Sequence, residues 1–181
     1  MNKAIFLDRD GIVIKDKNYS CDPKSIEFID GVIPSLQKLQ NSGYLLIVIT
    51  NQSGVARGLF TENELQVFNN AILCLLKKKG IEITAIYYCP HHPRGIVPKY
   101  TVECSCRKPG VKMFLDAAFD YDIDLSLSYA IGDNERDCAI CFISECKGCL
   151  VKKNAEPSLN GEIKVFQTFE ECVKYILGES E

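Results

Sequence analysis

The chain reads as an α/β domain: a doubly wound, mostly parallel sheet with helices on both faces. Three observations predict this. Short apolar runs alternate with segments of helical period. The runs are apolar throughout rather than alternating, as strands covered on both faces are. Most of them end in polar residues, and in sheets of this class ligands sit beyond the C-terminal strand ends.

The elements follow in order. Lys3 to Leu7 is an apolar run that stops at Asp8, a buried strand opening into a site. Residues 11–30 have no period. Gly31 to Ser42 carries Val32, Leu36 and Leu39 at helical spacing, and Gly43 stops it. Tyr44 to Ile49 is a second strand, leading into Thr50-Asn51-Gln52-Ser53-Gly54. Thr61-x-x-Glu64 is a capping box for a helix to about Lys79, with Leu65, Phe68, Ile72, Leu75 and Leu76 on its inner face. Ile83 to Tyr88 is a third strand, followed by an irregular stretch to Arg107. Pro109 is expected to open a helix to about Phe119. Leu127 to Ile131 is a fourth strand ending at Gly132-Asp133. A helix, strands near Cys149–Val151 and Ile163–Phe166, and a helix from Thr168 to Leu177 complete one expected domain, 1–181.

No apolar run reaches the roughly 18–20 residues that span a bilayer, and Met1 to Asp8 lacks the apolar stretch of a signal peptide. A soluble, cytoplasmic protein without membrane partners is expected. The net charge of −3 argues against a nucleic-acid partner, which needs a basic field. A small anionic substrate needs only a few local cations. No long apolar helix face is left unpaired, so a monomer is expected.

Ten cysteines in a reducing compartment point to free thiols or metal ligands. Cys89-x-His91 and Cys104-x-Cys106 supply three thiolates and one imidazole, a closed tetrahedral set for a structural Zn²⁺. Such a site would fold the loop 89–106 and fix Arg107 and Lys108 behind it. His92 is expected to point outward. Cys74 and Cys172 are expected in the core, and Cys138, Cys141, Cys146 and Cys149 to act as small apolar groups.

Asp8 and Asp10 place two carboxylates at one strand end, and Asp133 arrives from another. Such a set suits a hard octahedral cation such as Mg²⁺. One carboxylate can be a nucleophile and the other an acid or base if their environments differ. Thr50 and Asn51 offer donors, and Lys108 adds a cation near a helix start. Together these are the parts of phosphoryl transfer. Each signal is weak alone; Asp-x-Asp is commonly a surface turn. Their ordered arrival at strand ends gives them weight.

Asp8-x-Asp10-Gly11, Thr50-Asn51-Gln52, Lys108 and Gly132-Asp133-x-x-x-Asp137 resemble the four ordered motifs of the haloacid dehalogenase superfamily, from about Ala4 to Val151. Thr50 to Gly58, Cys89-Pro90-His91-His92-Pro93 and Cys104 to Pro109 narrow the resemblance to its zinc-loop phosphatases. These comprise the heptose bisphosphate phosphatases and the histidinol-phosphate phosphatases. The twelve residues between His91 and Cys104 favour the heptose group, whose products feed nucleotide-activated heptose biosynthesis and surface sugars such as lipopolysaccharide. The resemblance implies a phosphatase without a large cap domain. Asp8 would be the nucleophile, Asp10 the acid and base, and Thr50 and Lys108 the holders of the phosphoryl group. Mg²⁺ would bind Asp8, the Asp10 carbonyl and Asp133. Arg9, Asp16, Lys17, Asn18, Tyr19, Asn51, Gln52, Ser53, Arg107 and Asn134 would contact a sugar phosphate, with Arg107 on its second phosphate. The chain departs from the pattern at Ile12, Ile14, Lys112 and Asn134. Asn134 stands where a lysine is common, and Lys112 is expected to replace that cation. Two other functions compete: hydrolysis of histidinol phosphate or another small phosphomonoester, and a catalytically silent, zinc-stabilised binder of phosphate ligands.

Overall fold

A computed structural model describes residues 1–154 and 163–179. Residues 155–162 and 180–181 of the expected domain lie outside the described residues. Six parallel strands form one sheet in the order β3-β2-β1-β4-β5-β6. They are β1 Lys3–Leu7, β2 Tyr44–Asn51, β3 Ala85–Cys89, β4 Tyr129–Gly132, β5 Lys147–Val151 and β6 Ile163–Phe166. The chain winds outward from β1 to β3, then returns to lay β4 against the other side of β1. The switch point therefore lies between β1 and β4, where a crevice is expected.

The apolar runs divide side chains between two cores, because successive residues of a strand face opposite ways. Ile5, Leu7, Leu46, Ile131 and Cys149 enter one core. It is closed by α1 (Val32–Asn41), α2 (Glu62–Lys77) and α4 (Phe169–Leu177). Ala4, Phe6, Ile47, Ile49, Ala130 and Leu150 enter the other. There α3 (Lys112–Asp120) and a 3-10 helix, Glu135–Phe142, cover the sheet. This is a doubly wound sheet with no large domain inserted among the described elements.

The Thr61 capping box is formed as expected. Thr61 Oγ1 accepts from the Glu64 N–H at 3.2 Å, and Glu64 Oε2 accepts from the Thr61 N–H at 2.7 Å. Three expectations need correction. α3 begins at Lys112, not Pro109, because Gly110 N–H turns back onto the Arg107 carbonyl at 2.6 Å. The helix after Gly132 is 3-10 in character. Cys74 is exposed: two residues beyond buried Ile72, it is carried to the far side of α2. Cys172 is in the core, as are Cys138, Cys141, Cys146 and Cys149. No helix among the described residues is long and apolar enough to cross a membrane.

Candidate active site

The ends of β1, β2 and β4 enclose a cleft with an acidic floor. Asp8 leaves β1 next to Ile131 of β4, and its N–H donates to the Ile131 carbonyl at 2.9 Å. Asp133 follows β4 at once. Carboxylate oxygens of Asp8, Asp133 and Asp137 lie within 4.8 Å of one another. Two glycines make this approach possible. Gly11, at φ +84°, sits where a Cβ would lie 2.5 Å from Asp133 Oδ2. At Gly132 a Cβ would meet that of Asp137 at 2.1 Å.

One cation sits in the acidic cluster. Lys108 Nζ lies 2.9 Å from Asp8 Oδ1 and 2.8 Å from Asp137 Oδ1, and donates to the Ile49 carbonyl at 2.6 Å. Its backbone is fixed to the end of β2. Asn51 Nδ2 donates to the Lys108 carbonyl at 3.0 Å, while the Lys108 N–H donates to Asn51 Oδ1 at 2.9 Å. The β2 terminus thus sets the position of a residue 57 positions away.

Asp10 is held apart from this pair. Gln52 Nε2 donates to Asp10 Oδ2 at 2.8 Å and to Thr50 Oγ1 at 2.9 Å. The Arg9 guanidinium meets Asp10 at 3.0 Å, donates to Asn69 Oδ1 of α2 at 2.8 Å, and rests on the Phe68 ring at 4.9 Å. Asp16, Lys17, Asn18 and Tyr19 form one wall, Asn51 to Ser53 another, and Arg107 and Arg136 stand at the side.

Beyond β3 is a second cluster. Cys89 ends that strand, and the atoms Cys89 Sγ, His91 Nδ1, Cys104 Sγ and Cys106 Sγ lie within 4.8 Å of one another. Their sulfur–sulfur distances are 2.9 to 3.5 Å, and Nδ1 lies 3.4 Å from Cys106 Sγ. A tetrahedron around Zn²⁺ would have edges of roughly 3.5–3.8 Å, so the set fits such an ion with slight expansion. Burial pushes the thiols of Cys89 and Cys106 up, so an ion entering there must displace protons.

Comparison with known proteins agrees with this geometry. A family model described as polynucleotide kinase 3 phosphatase matches residues 3–156. The chain is 44% identical over 134 residues to a D-glycero-beta-D-manno-heptose-1,7-bisphosphate 7-phosphatase of Escherichia coli O6:H1, covering 74% of this chain and 70% of that one. It is 40% identical over 157 residues to the enzyme of that name from Pasteurella multocida, covering 87% and 85%. The chain belongs to the heptose bisphosphate 7-phosphatase family. This places it among the phosphoric monoester hydrolases. A solved D,D-heptose 1,7-bisphosphate phosphatase of B. bronchiseptica, complexed with magnesium and phosphate, superposes with a TM-score of 0.83 at 31% identity, covering 98% of this chain and 99% of that one.

For a member of this family, the electrostatics of the cleft are telling. Burial raises the Asp133 pKa to about 6, and the charges of Asp8 and Asp137 add to the effect. Asp137 is raised by burial and by Asp8, against the pull of Lys108. Burial also raises Asp10, opposed by Arg9 and reinforced by Asp8. Burial works against the Lys108 ammonium, but Asp8 and Asp137 outweigh it and lift its pKa. A cluster of carboxylates raised by burial and, secondarily, by mutual repulsion suits a hard divalent cation.

The expected residues do not all reach the cleft. Asn134 does not line it: its side chain accepts from the Arg136 N–H at 3.3 Å and caps the 3-10 helix. Lys112 does not replace the missing cation, because it pairs with Asp116 at 2.7 Å on the exposed side of α3. Arg9 does line the cleft, though it is largely buried and its guanidinium bonds Asp10 and Asn69. Asp137 was read as part of the fourth motif but given no role, and Arg136 and Asn69 went unpredicted. Asn69 carried no signal beyond a polar residue on an otherwise apolar helix face.

Proposed function

We propose that this chain is a Mg²⁺-dependent phosphatase that removes the 7-phosphate of D-glycero-β-D-manno-heptose 1,7-bisphosphate through an aspartyl-phosphate on Asp8. One observation carries the reading: Asp8 is set against Lys108, while Asp10, two residues on, is held away by Arg9 and Gln52. Two carboxylates at one strand end thereby receive different tasks.

An Asp8 oxygen attacks phosphorus, and the bond from phosphorus to the C7 oxygen breaks. Asp10, with its raised pKa, gives that oxygen a proton. Asp10 then takes a proton from water, whose oxygen attacks the acyl-phosphate, releasing phosphate and restoring Asp8. Lys108 and Thr50 hold the transferred group, and Asn51 holds Lys108. Arg107 and the 16–19 segment meet the rest of the sugar phosphate. Mg²⁺, bound by Asp8, Asp133 and the Asp10 carbonyl, would neutralise the floor against the incoming phosphate and polarise it. Zn²⁺ in the Cys89–His91–Cys104–Cys106 cluster would have no open position and a structural task. The net charge of −3 favours a sugar phosphate over a nucleic-acid end.

The test is phosphate release with Mg²⁺ on a panel: both anomers of heptose 1,7-bisphosphate, fructose 1,6-bisphosphate, histidinol phosphate and a 3′-phosphorylated oligonucleotide. The β anomer of the heptose should be turned over fastest. Faster release from any other member overturns the assignment of substrate.

A further inference from the structure

Beside the cleft lies a group of cations without acidic partners. Among the described residues, no carboxylate or carbonyl accepts from the Arg57 guanidinium, and its Nε is buried with no hydrogen-bond partner. Its one polar contact is unusual. Arg57 Nη2 lies 3.2 Å from His92 Nε2. His92 Nδ1, however, accepts the Arg94 N–H at 3.0 Å. A neutral imidazole that accepts at Nδ1 carries its hydrogen on Nε2. Two donors therefore face each other with no acceptor between them. An uncompensated pair of this kind is costly once it is shielded from water.

The backbone holds this arrangement firmly. The Ala56 carbonyl accepts from Ile96 N at 2.7 Å and from Val97 N at 3.0 Å. The turn after β2 and the segment after His91 are thus joined just where Arg57 meets His92. Arg107 belongs to the same group. Its Nη1 donates to the His91 carbonyl at 3.3 Å, and it lies within the electrostatic reach of both Arg57 and Arg136. Tyr19, a wall of the cleft, has its ring centroid 5.9 Å from the Arg57 guanidinium carbon. Tyr19 and Arg107 line the cleft, and Arg57 adjoins both from beside it.

We propose that Arg57 and the Nε2–H of His92 form, with Arg107, a rim subsite for the non-reacting phosphate of a bisphosphate substrate, and that Arg57 is a specificity-determining residue. A phosphate oxygen between Arg57 and His92 supplies the missing acceptor, and the guanidiniums match its planar pairs of lone pairs. This rests on the proposed sugar-bisphosphate function and adds a second arm to Arg107.

Two measurements test it. The first compares kcat/KM for heptose 1,7-bisphosphate and for heptose 7-phosphate, which lacks the distal phosphate. Arg57→Met should lower the bisphosphate-to-monophosphate selectivity about tenfold, a single arm's worth of binding near 1.4 kcal/mol, with the loss in KM. Arg57→Lys should recover part of it. Equal losses on both substrates, or unchanged selectivity, overturn the proposal. The second measurement needs no turnover: inorganic phosphate titrated calorimetrically into the Mg²⁺- and Zn²⁺-loaded protein. Two phosphates should bind the native chain and one the Arg57→Met variant. Two sites together with no hydrolysis of either heptose phosphate would retain the subsite and sink the heptose reading. One site in both proteins would sink the subsite alone.

Discussion

The chain builds two groups of metal-ligating residues, and they differ in kind. At the end of β3, three sulfurs and one nitrogen close on a single point, with every ligand supplied by one loop and its flanks. At the ends of β1 and β4, carboxylates gather without closing, and a lysine stands among them. Soft ligands in a complete shell suit an ion that never leaves. Hard ligands in an incomplete shell suit an ion that must share its coordination with a substrate. In the proposed function one site is a fastening and the other a reaction floor. They communicate because Cys89 is paired with Asn51 in the β3–β2 register, and Asn51 locks Lys108.

The sharpest test of the difference is Asp8→Asn. A neutral amide at this position cannot attack phosphorus, so turnover should fall by about 10³-fold or more, about 4 kcal/mol in the barrier. The melting temperature should stay close to native, because the amide still accepts from Lys108. Near-normal turnover would remove Asp8 from the chemistry. Next in size is Lys108→Met. It strands Asp8 and Asp137 without their buried cation, and breaking such a pair costs about 3–5 kcal/mol. Urea unfolding of the Mg²⁺-free variant should show a loss of that order, and a stability equal to native would contradict the ion-pair account.

The fastening should respond differently. A soft chelator that strips the cysteine cluster should open residues 89–108 to proteolysis and lower Tm by roughly 5 °C or more, as about 2 kcal/mol does in a domain of this size. Activity should fall with it, through Arg107 and Lys108. Unchanged cleavage and activity would deny the cluster a structural task. The smallest effect concerns pH. The Asp133 pKa is raised to about 6, so the metal-free fold binds its proton more tightly than the unfolded chain. This contribution to stability is present at low pH and fades as pH rises through 6. Mg²⁺ competes with the same proton. The rise in Tm on adding Mg²⁺ to Zn²⁺-loaded protein should therefore be larger at pH 7 than at pH 5. The opposite order would show that Asp133 is not a ligand.

What was legible in the sequence followed from local rules. The run Lys3 to Leu7 breaks at Asp8, and burial on both faces leaves no other reading of it. Thr61 and Glu64 announced a helix start three residues apart, a distance any capping box obeys. The cysteine spacing announced a tetrahedral set. Three features depended on long-range packing instead. Asp137 was legible as part of the fourth motif, but its partner was not: the 3-10 winding and Gly132 turn it onto Lys108. Asn134 occupies a position expected to face substrate, yet the same winding spends its side chain on a cap. Pro109 looks like a helix start, but the chain must first turn back under the cysteine loop, where Lys112 N–H reaches the Ser105 carbonyl at 3.2 Å.

The position of β3 has one more consequence. Among the described residues it is an outer strand, paired only with β2, and its final residue is the buried thiol of Cys89. An outer strand presents unpaired backbone groups to any chain that meets it. Cys89 Sγ is gathered with the sulfurs of Cys104 and Cys106, so a metal in the cluster would tie the C-terminal end of this outer strand to the loop that leaves it.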